Sequence, residues 1–474
     1  MKTSTIAERE ARGRAAREHS KRSSHRAPGD LQRDPLDLLK QSSAGRIDHL
    51  LPLRYGRMAA SPLAFLRGSA IVHAHDLSKV RDTGLSMPVC GDAHLMNFGG
   101  FATPERQLVF DLHDFDEVSI GPFEWDLKRL SASLVVAARQ MRLSRGTAEN
   151  LVTSAVNSYR DRIAHYAQRG ALELWYDRIT FDHMAEIALT PERRRAVRRA
   201  LERAASRTHE SLLEKAAAFD GGRWTLHDAP PALFHLRSAD KLADKLFAPA
   251  EADTFRSGNG DKLIQQMWAD YRQSMSSERR ELLDHFTLQD IAFSVAGVGS
   301  VGLRCMAVLL VDHMGKPLFL QLKEARPSVV GQFHHAPAVR HEGERIVYGQ
   351  RMLQAASDVF LGWTSGPLGR HFYVRQLREL KLSPNLELFD SDVLDGYARL
   401  CGWSLARAHA KASGQAIEVS AYIGRGDQFA EALSGYAVSY ADQVERDYDT
   451  FIKAVRSGEL QTRTDDDIAA DFSG

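Results

Sequence analysis

A chain of 474 residues with 43% hydrophobic and 26% charged side chains has the composition of a globular protein, long enough for two lobes with a substantial core. Its 62 Lys and Arg nearly cancel its 61 Asp and Glu, so no whole-chain field points to nucleic acid or to a membrane surface. Cys90, Cys305 and Cys401 are too dispersed for a zinc signature or a disulfide framework. The polar N-terminus lacks the apolar core of a secretory signal, and no apolar run reaches the roughly 20 residues that span a bilayer. A protein of the reducing cytoplasm is expected.

In chain order, residues 1–30 are rich in Arg, Ser, Ala and Glu and read as a mobile basic arm. Residues 35–53 look like a short helix and a loop. Ser61-Pro62 then opens a helix through Phe65, Ile71 and Leu77. From Val89 to Gly121-Pro122 the pattern is strands and turns, and from Glu124 to about Arg280 it is overwhelmingly helical. Thr190-Pro191-Glu192 starts a helix carrying arginines from Arg193 to Arg207. No aromatic residues interleave with them, so they read as a solvated face rather than an RNA surface. Residues 290–322 form strands, with a hairpin turn at Asp312–Lys316. A helix follows from about Ala338 to Ser357, then a strand from Phe372 to Leu377, then helices from Asp392 to an acidic tail around Asp465–Asp467. The expected organisation is a helical large lobe at 31–285, a β-rich small lobe at 286–385, helices at 386–460 packing back on the large lobe, and a tail at 461–474.

Chemistry concentrates in two places. Gly297-Val298-Gly299-Ser300-Val301-Gly302 is a G-x-G-x-x-G, a spacing shared by dinucleotide folds and kinases. Here a β-type run follows (Leu303 to Leu310), not a helix. That makes strand, glycine loop, strand, turn, strand, as in a kinase. Gly297, Gly299, Ser300 and Gly302 are therefore expected to let backbone amides approach phosphate oxygens. Lys323 ends the third strand where a kinase places the lysine that neutralises phosphate charge. Glu344, with Glu342 as the alternative, is the expected helix partner of that lysine. The strand from Phe372 to Leu377, including Gln376, is the expected hinge, whose backbone would bond a nucleobase.

The second place is Cys90-Gly91-Asp92-Ala93-His94-Leu95-Met96-Asn97. An Asp followed five residues later by Asn has the spacing of the kinase catalytic loop, where Asp receives the substrate proton and Asn holds Mg²⁺. G-D-x-H-x-x-N is closer still to the loop of aminoglycoside- and choline-type kinases. In the following hairpin, Asp114 is the expected metal ligand and Asp111 the runner-up. Hard oxygen donors such as Asn97 and Asp114 suit Mg²⁺ or Mn²⁺, and His94 joins Asp92 in the expected catalytic group. Gly121 to Leu127 resembles the G-D-P-x-x-D-L that follows the metal aspartate in aminoglycoside-kinase-like proteins.

From about Arg46 to about Ile452 the chain resembles a bacterial family of uncharacterised proteins catalogued as domain of unknown function 2252. The shared marks include Arg54–Met58, Gly91–Gly99, Trp125–Leu130, Gly297–Gly302, Lys323–Ala325 and Leu405–Ala410. The family name implies no activity. The expected fold is α+β and two-lobed, a circularly permuted protein-kinase-like fold in which the catalytic and metal aspartates precede the glycine loop by about 200 residues. The expected function is transfer of phosphate from ATP, or another nucleoside triphosphate, with Mg²⁺. The acceptor is unidentified, an anionic small molecule or a protein. Nucleotidyl (AMP) transfer, a non-catalytic nucleotide sensor and a metal-dependent phosphoesterase are the alternatives. Neither nucleic acid nor a membrane is an expected partner.

Overall fold

The computed structural model describes residues 4–180, 182–184, 209–235, 246–247, 251, 260–295, 297–377, 382 and 384–471. The arginine-bearing helix expected from Thr190 to Arg207 lies outside them. The fold is mixed α and β.

The larger part is helical. Helix α6 (Phe123–Gln140) is buried along nearly its whole length, and helix α7 (Arg145–Tyr166) begins on an N-cap, with Ser144 Oγ accepting from Thr147 N at 3.1 Å. Helix α7 lies along the Ser391–Ser413 helix so closely that a Cβ at Gly402 would meet the Ala155 carbonyl. The Gln428–Arg456 helix packs across both α6 and α7. Strands β1 (Ser86–Val89) and β4 (Ser119–Pro122) pair antiparallel. Between them, β2 (Phe98–Ala102) and β3 (Leu108–Leu112) form a hairpin, closed by Thr103 N donating to Gln107 O at 2.8 Å. The expected single helix after Ser61 is two: α4 (Pro62–Gly68) and α5 (Ala70–Ser78) break at Ser69.

The smaller part is a six-stranded sheet. Strands β9 (Phe286–Ser294), β10 (Cys305–Asp312) and β11 (Pro317–Ala325) are successive antiparallel hairpin neighbours. The Glu342–Leu353 helix follows, then β12 (Gly362–Ser365) and β13 (His371–Gln376). Strand β13 pairs with β11, β12 lies outside it, and the short β8 (Leu233–Phe234) edges β9. Side chains alternate across β11. Leu318 and Leu320 bury one face against Tyr271 and Met275, while Gln321 and Lys323 point to the other. The run expected to be overwhelmingly helical up to about Arg280 thus also contributes β5 (Ile179–Thr180), β6 (Ala217–Asp220), β7 (Arg223–Leu226) and β8.

Both chain extensions are structured, the N-terminal one against expectation. Residues expected as a mobile arm form helix α1 (Ile6–His19), with a capping box at Thr5. Its arginines find partners that composition cannot reveal. Arg9 and Arg12 reach Glu418 at 2.7 Å, Arg17 Nε donates to Tyr422 O at 2.8 Å, and buried His25 bonds Tyr422 Oη at 2.6 Å. At the other end, the Asp465–Ala470 helix buries Ile468, and Asp465 pairs with Arg57.

Candidate functional site

The Cys90–Asn97 loop is fixed from beneath. Asp126, in the first turn of α6, accepts from Cys90 N at 2.7 Å and Gly91 N at 2.9 Å, and His409 Nε2 meets the same carboxylate at 3.1 Å. Gly91 has φ +83°, and a Cβ there would meet the Glu117 carbonyl, so this turn requires glycine. Ser133 Oγ accepts from Leu95 N at 2.9 Å, and Asn97 Nδ2 donates to Asp92 O at 2.7 Å. Asp92 is thereby held half-exposed at the floor of a cavity of about 360 Å³. Its Oδ1 accepts from Arg129 Nε at 2.8 Å, and its Oδ2 lies 3.8 Å from His94 Nε2. Burial holds the His94 imidazole down to about 4, with Arg129 and Arg67 adding to the effect against Asp92. At neutral pH the His94 imidazole is therefore held uncharged beside Asp92.

Asn97 and Asp114 line the same cavity, and so do Gly297, Gly299 and Ser300 of the loop joining β9 to β10. Burial alone would raise the Asp114 carboxyl, but the charges of Lys323 and Arg375 outweigh it and hold the group ionised, near 2. Its Oδ1 accepts from Asp116 N at 3.1 Å. An ionised carboxylate and an amide oxygen beside each other are donors that suit Mg²⁺, which takes few protein ligands and completes its shell with phosphate and water oxygens. Among the described residues, no group of three or more His, Cys, Asp or Glu side chains is arranged to hold a metal by itself.

Lys323 is buried, but its partner is not the expected glutamate. Its Nζ lies 2.5 Å from Asp116 Oδ2, and Tyr373 Oη donates to Asp116 Oδ1 at 2.8 Å. Glu344 is exposed at the start of its helix, and Glu342 pairs with Arg345 at 2.6 Å. The helix turns Glu344 outward and ties Glu342 to Arg345, while the segment between β3 and β4 brings Asp116 to Lys323 on β11.

Asp111 and Asp114 are three residues apart yet placed differently. Asp111 is fully buried and held by Arg407 Nη2 at 2.8 and 2.9 Å, Ser404 Oγ at 3.0 Å and Ala355 N at 2.6 Å. All its lone pairs are spent away from the cavity, so the structure brings Asp114 to the site and not Asp111. Gln376 is not brought there either. On β13 it shares a face with Val374, opposite to Lys323, and lines a separate depression with Phe101 and Phe360. The next carbonyl, Leu377 O, already accepts from His209 Nε2 at 2.8 Å. Gly302 closes the loop at φ +85°, with its carbonyl accepting from Ile47 N at 2.8 Å.

Three contributors escape a reading by motif spacing: Asp116, Arg129 and Arg67. Arg129 sits inside the Trp125–Leu130 mark and Asp116 two residues past the expected metal ligand Asp114, so their presence is visible in the sequence but not their partners. Arg67, on α4, carries no sequence signal. The marks Trp125–Leu130 and Leu405–Ala410 acquire a physical meaning. Asp126 and His409 brace the Asp92 loop, and Arg407 anchors Asp111.

No curated protein and no solved structure matches this chain. A family model described as an uncharacterized protein conserved in bacteria matches residues 46–454, which spans the bracing motifs, the Asp92 loop and the glycine loop. The chain belongs to that bacterial family, the domain of unknown function 2252.

Proposed function

We propose that the protein is an ATP- and Mg²⁺-dependent phosphotransferase on a kinase-like, circularly permuted two-lobed fold. The observation that carries this reading is that one cavity unites Asp92, Asn97 and Asp114 with the Gly297–Ser300 loop, which follows them by about 200 residues. The order of the small sheet supports it. Strand, glycine loop, strand, hairpin, lysine strand, helix and neighbouring strand succeed one another as in a kinase.

In this reading an acceptor hydroxyl approaches the Asp92 carboxylate, which Arg129 keeps aimed into the cavity. As the hydroxyl oxygen bonds the γ-phosphorus, its proton passes to Asp92. The bond from the γ-phosphorus to the β–γ bridging oxygen breaks, and ADP leaves. Asn97 and Asp114 would hold Mg²⁺, which neutralises charge on the transferring phosphate. Lys323 exchanges Asp116 for a phosphate oxygen, trading one anion for another.

The test is incubation with Mg²⁺ and ATP labelled at the α- or the γ-phosphate, using cell extract as acceptor, for wild type, Asp92→Ala and Lys323→Ala. Transfer of γ-label abolished by both substitutions is expected. Transfer of α-label would make the protein a nucleotidyltransferase. If no label moves but ATP raises Tm in wild type and not in Lys323→Ala, the protein is a sensor. If ATP does neither, the kinase-like reading fails, and metal-dependent hydrolysis is the assay to run.

A further inference from the structure

The cavity beside Asp92 is lined by four guanidinium groups, those of Arg46, Arg54, Arg67 and Arg326. Among the described residues none of them is ion-paired. Arg46 donates to Gly299 O at 2.7 Å and Val301 O at 2.6 Å. Arg326 donates to Ser42 O at 3.0 Å and Ala44 O at 2.7 Å. Arg54, 1% exposed, bonds Ser43 Oγ at 3.0 Å and Gly68 O at 2.7 Å, and its Nε has no partner. Arg67 makes no hydrogen bond to the protein at all, and its Nε is buried and unpartnered.

The carboxylates nearby are already committed. Asp92 is held by Arg129, Asp116 by Lys323, and Glu324 by Arg304 and Arg370, while ionised Asp114 sits in the field of Lys323 and Arg375. Glu117 accepts from Val329 N at 2.7 Å, and burial pushes its carboxyl up to about 7, so at neutral pH it carries only part of a charge. Burial holds all four arginines below their ordinary range. Repulsion from Arg54 and Arg326 deepens the effect on Arg46, and repulsion from Arg326 deepens it on Arg54, whereas Asp92 and Asp114 attract Arg67 against it. Clustered, desolvated cations, none of them in an ion pair, are an anion site awaiting its anion. They are also more than the triphosphate requires, because Lys323 and the glycine-loop amides already serve it in the proposed reaction.

We propose that the acceptor itself carries a phosphate or similar oxyanionic group, which Arg54, Arg67 and Arg326 receive while its hydroxyl meets Asp92. The substrate class is then a small phosphorylated alcohol. This rests on Asp92 acting as the base of the transferase proposed above.

The test is calorimetric titration of the full-length protein with inorganic phosphate, alone and with saturating Mg²⁺ and a non-hydrolysable ATP analogue, for wild type, Arg67→Gln and Arg326→Gln. The analogue is also titrated by itself. Phosphate should bind wild type with the analogue present and weaken at least about tenfold in each variant, with circular dichroism spectra unchanged. The Arg67 guanidinium makes no hydrogen bond or ion pair within the protein, so its variant separates lost binding from lost folding. Competition between phosphate and the analogue would assign the arginines to the nucleotide's own phosphates and overturn the proposal. So would absence of phosphate binding at millimolar concentration. If phosphate binds but the analogue does not, the arginine site stands and the transferase reading fails, and with it the assignment of the anion to an acceptor.

Discussion

Two groups of buried or half-buried cations flank Asp92 and Asp116, and the protein treats them oppositely. At the six-stranded sheet Lys323 meets Asp116, and deeper among the helices Arg407 meets Asp111. On the other side Arg46, Arg54, Arg67 and Arg326 meet backbone carbonyls, hydroxyls or nothing. A cation with a carboxylate partner is complete in the folded chain, and removing it strands a buried anion. A cation without one adds desolvation and repulsion, so its removal costs the fold little. Structure and binding are thus separable by substitution.

The largest expected effect is at the closed pair. Arg407→Met leaves Asp111 uncompensated in the core and should lower stability in urea by about 3–5 kcal/mol. A loss below about 1 kcal/mol would mean that Ser404 and Ala355 suffice to hold Asp111. Next comes Lys323→Met. Asp116 keeps its bond from Tyr373, so the expected loss is smaller, about 1–3 kcal/mol, and the rise in Tm with Mg²⁺ and ATP should vanish.

A third kind of buried site is a base that stays uncharged. His25 is held down to about 3 by burial, with Lys128 adding repulsion. Its folded-state value lies below the ordinary 6.5, so the stability it lends is present above that pH and is lost as pH falls from 6.5 toward 3. Acidification to pH 5 should cost about 2 kcal/mol and expose α1 to protease, and His25→Phe should remove most of that pH dependence.

Smallest of all is the effect at the open group. Arg67→Leu should stay within roughly 0.5 kcal/mol of wild type, or gain stability, while phosphate binding falls. A large loss there would show that the arginines support the fold and would end the contrast. Glu344→Gln should change neither Tm nor activity, because the side chain is exposed at the helix start.

Much of this was legible in the sequence. The glycine loop between two strands, Lys323 at a strand end and the Asp92–Asn97 spacing all follow from local patterns, and local patterns fix local backbone. What failed was pairing across the chain. Glu344 fits a spacing rule but lies on the wrong helix face, while Asp116, 207 residues before Lys323, is its contact. Asp111 and Asp114 look equivalent in an acidic hairpin. Only Arg407, on a helix nearly 300 residues later, separates them. The N-terminal segment has a disordered composition because its counter-charge, Glu418, is remote. Arg67 carries no motif, since an unpaired cation is defined by what does not surround it.

The glycine loop is fastened from outside its own sheet. Arg46 spans two of its carbonyls, Ile47 N bonds Gly302 O, and Arg57 Nη1 donates to Gly297 O at 2.7 Å. Every one of these clasps comes from the helical part of the chain, so the roof of the cavity and its floor are tied to one body. Opening for exchange of a bound molecule means releasing several bonds together, which lengthens residence time without adding a contact to the occupant. Turnover would then be governed by how fast the clasp lets go, and Arg57, outside the cavity, becomes a residue that sets a rate without touching what is released.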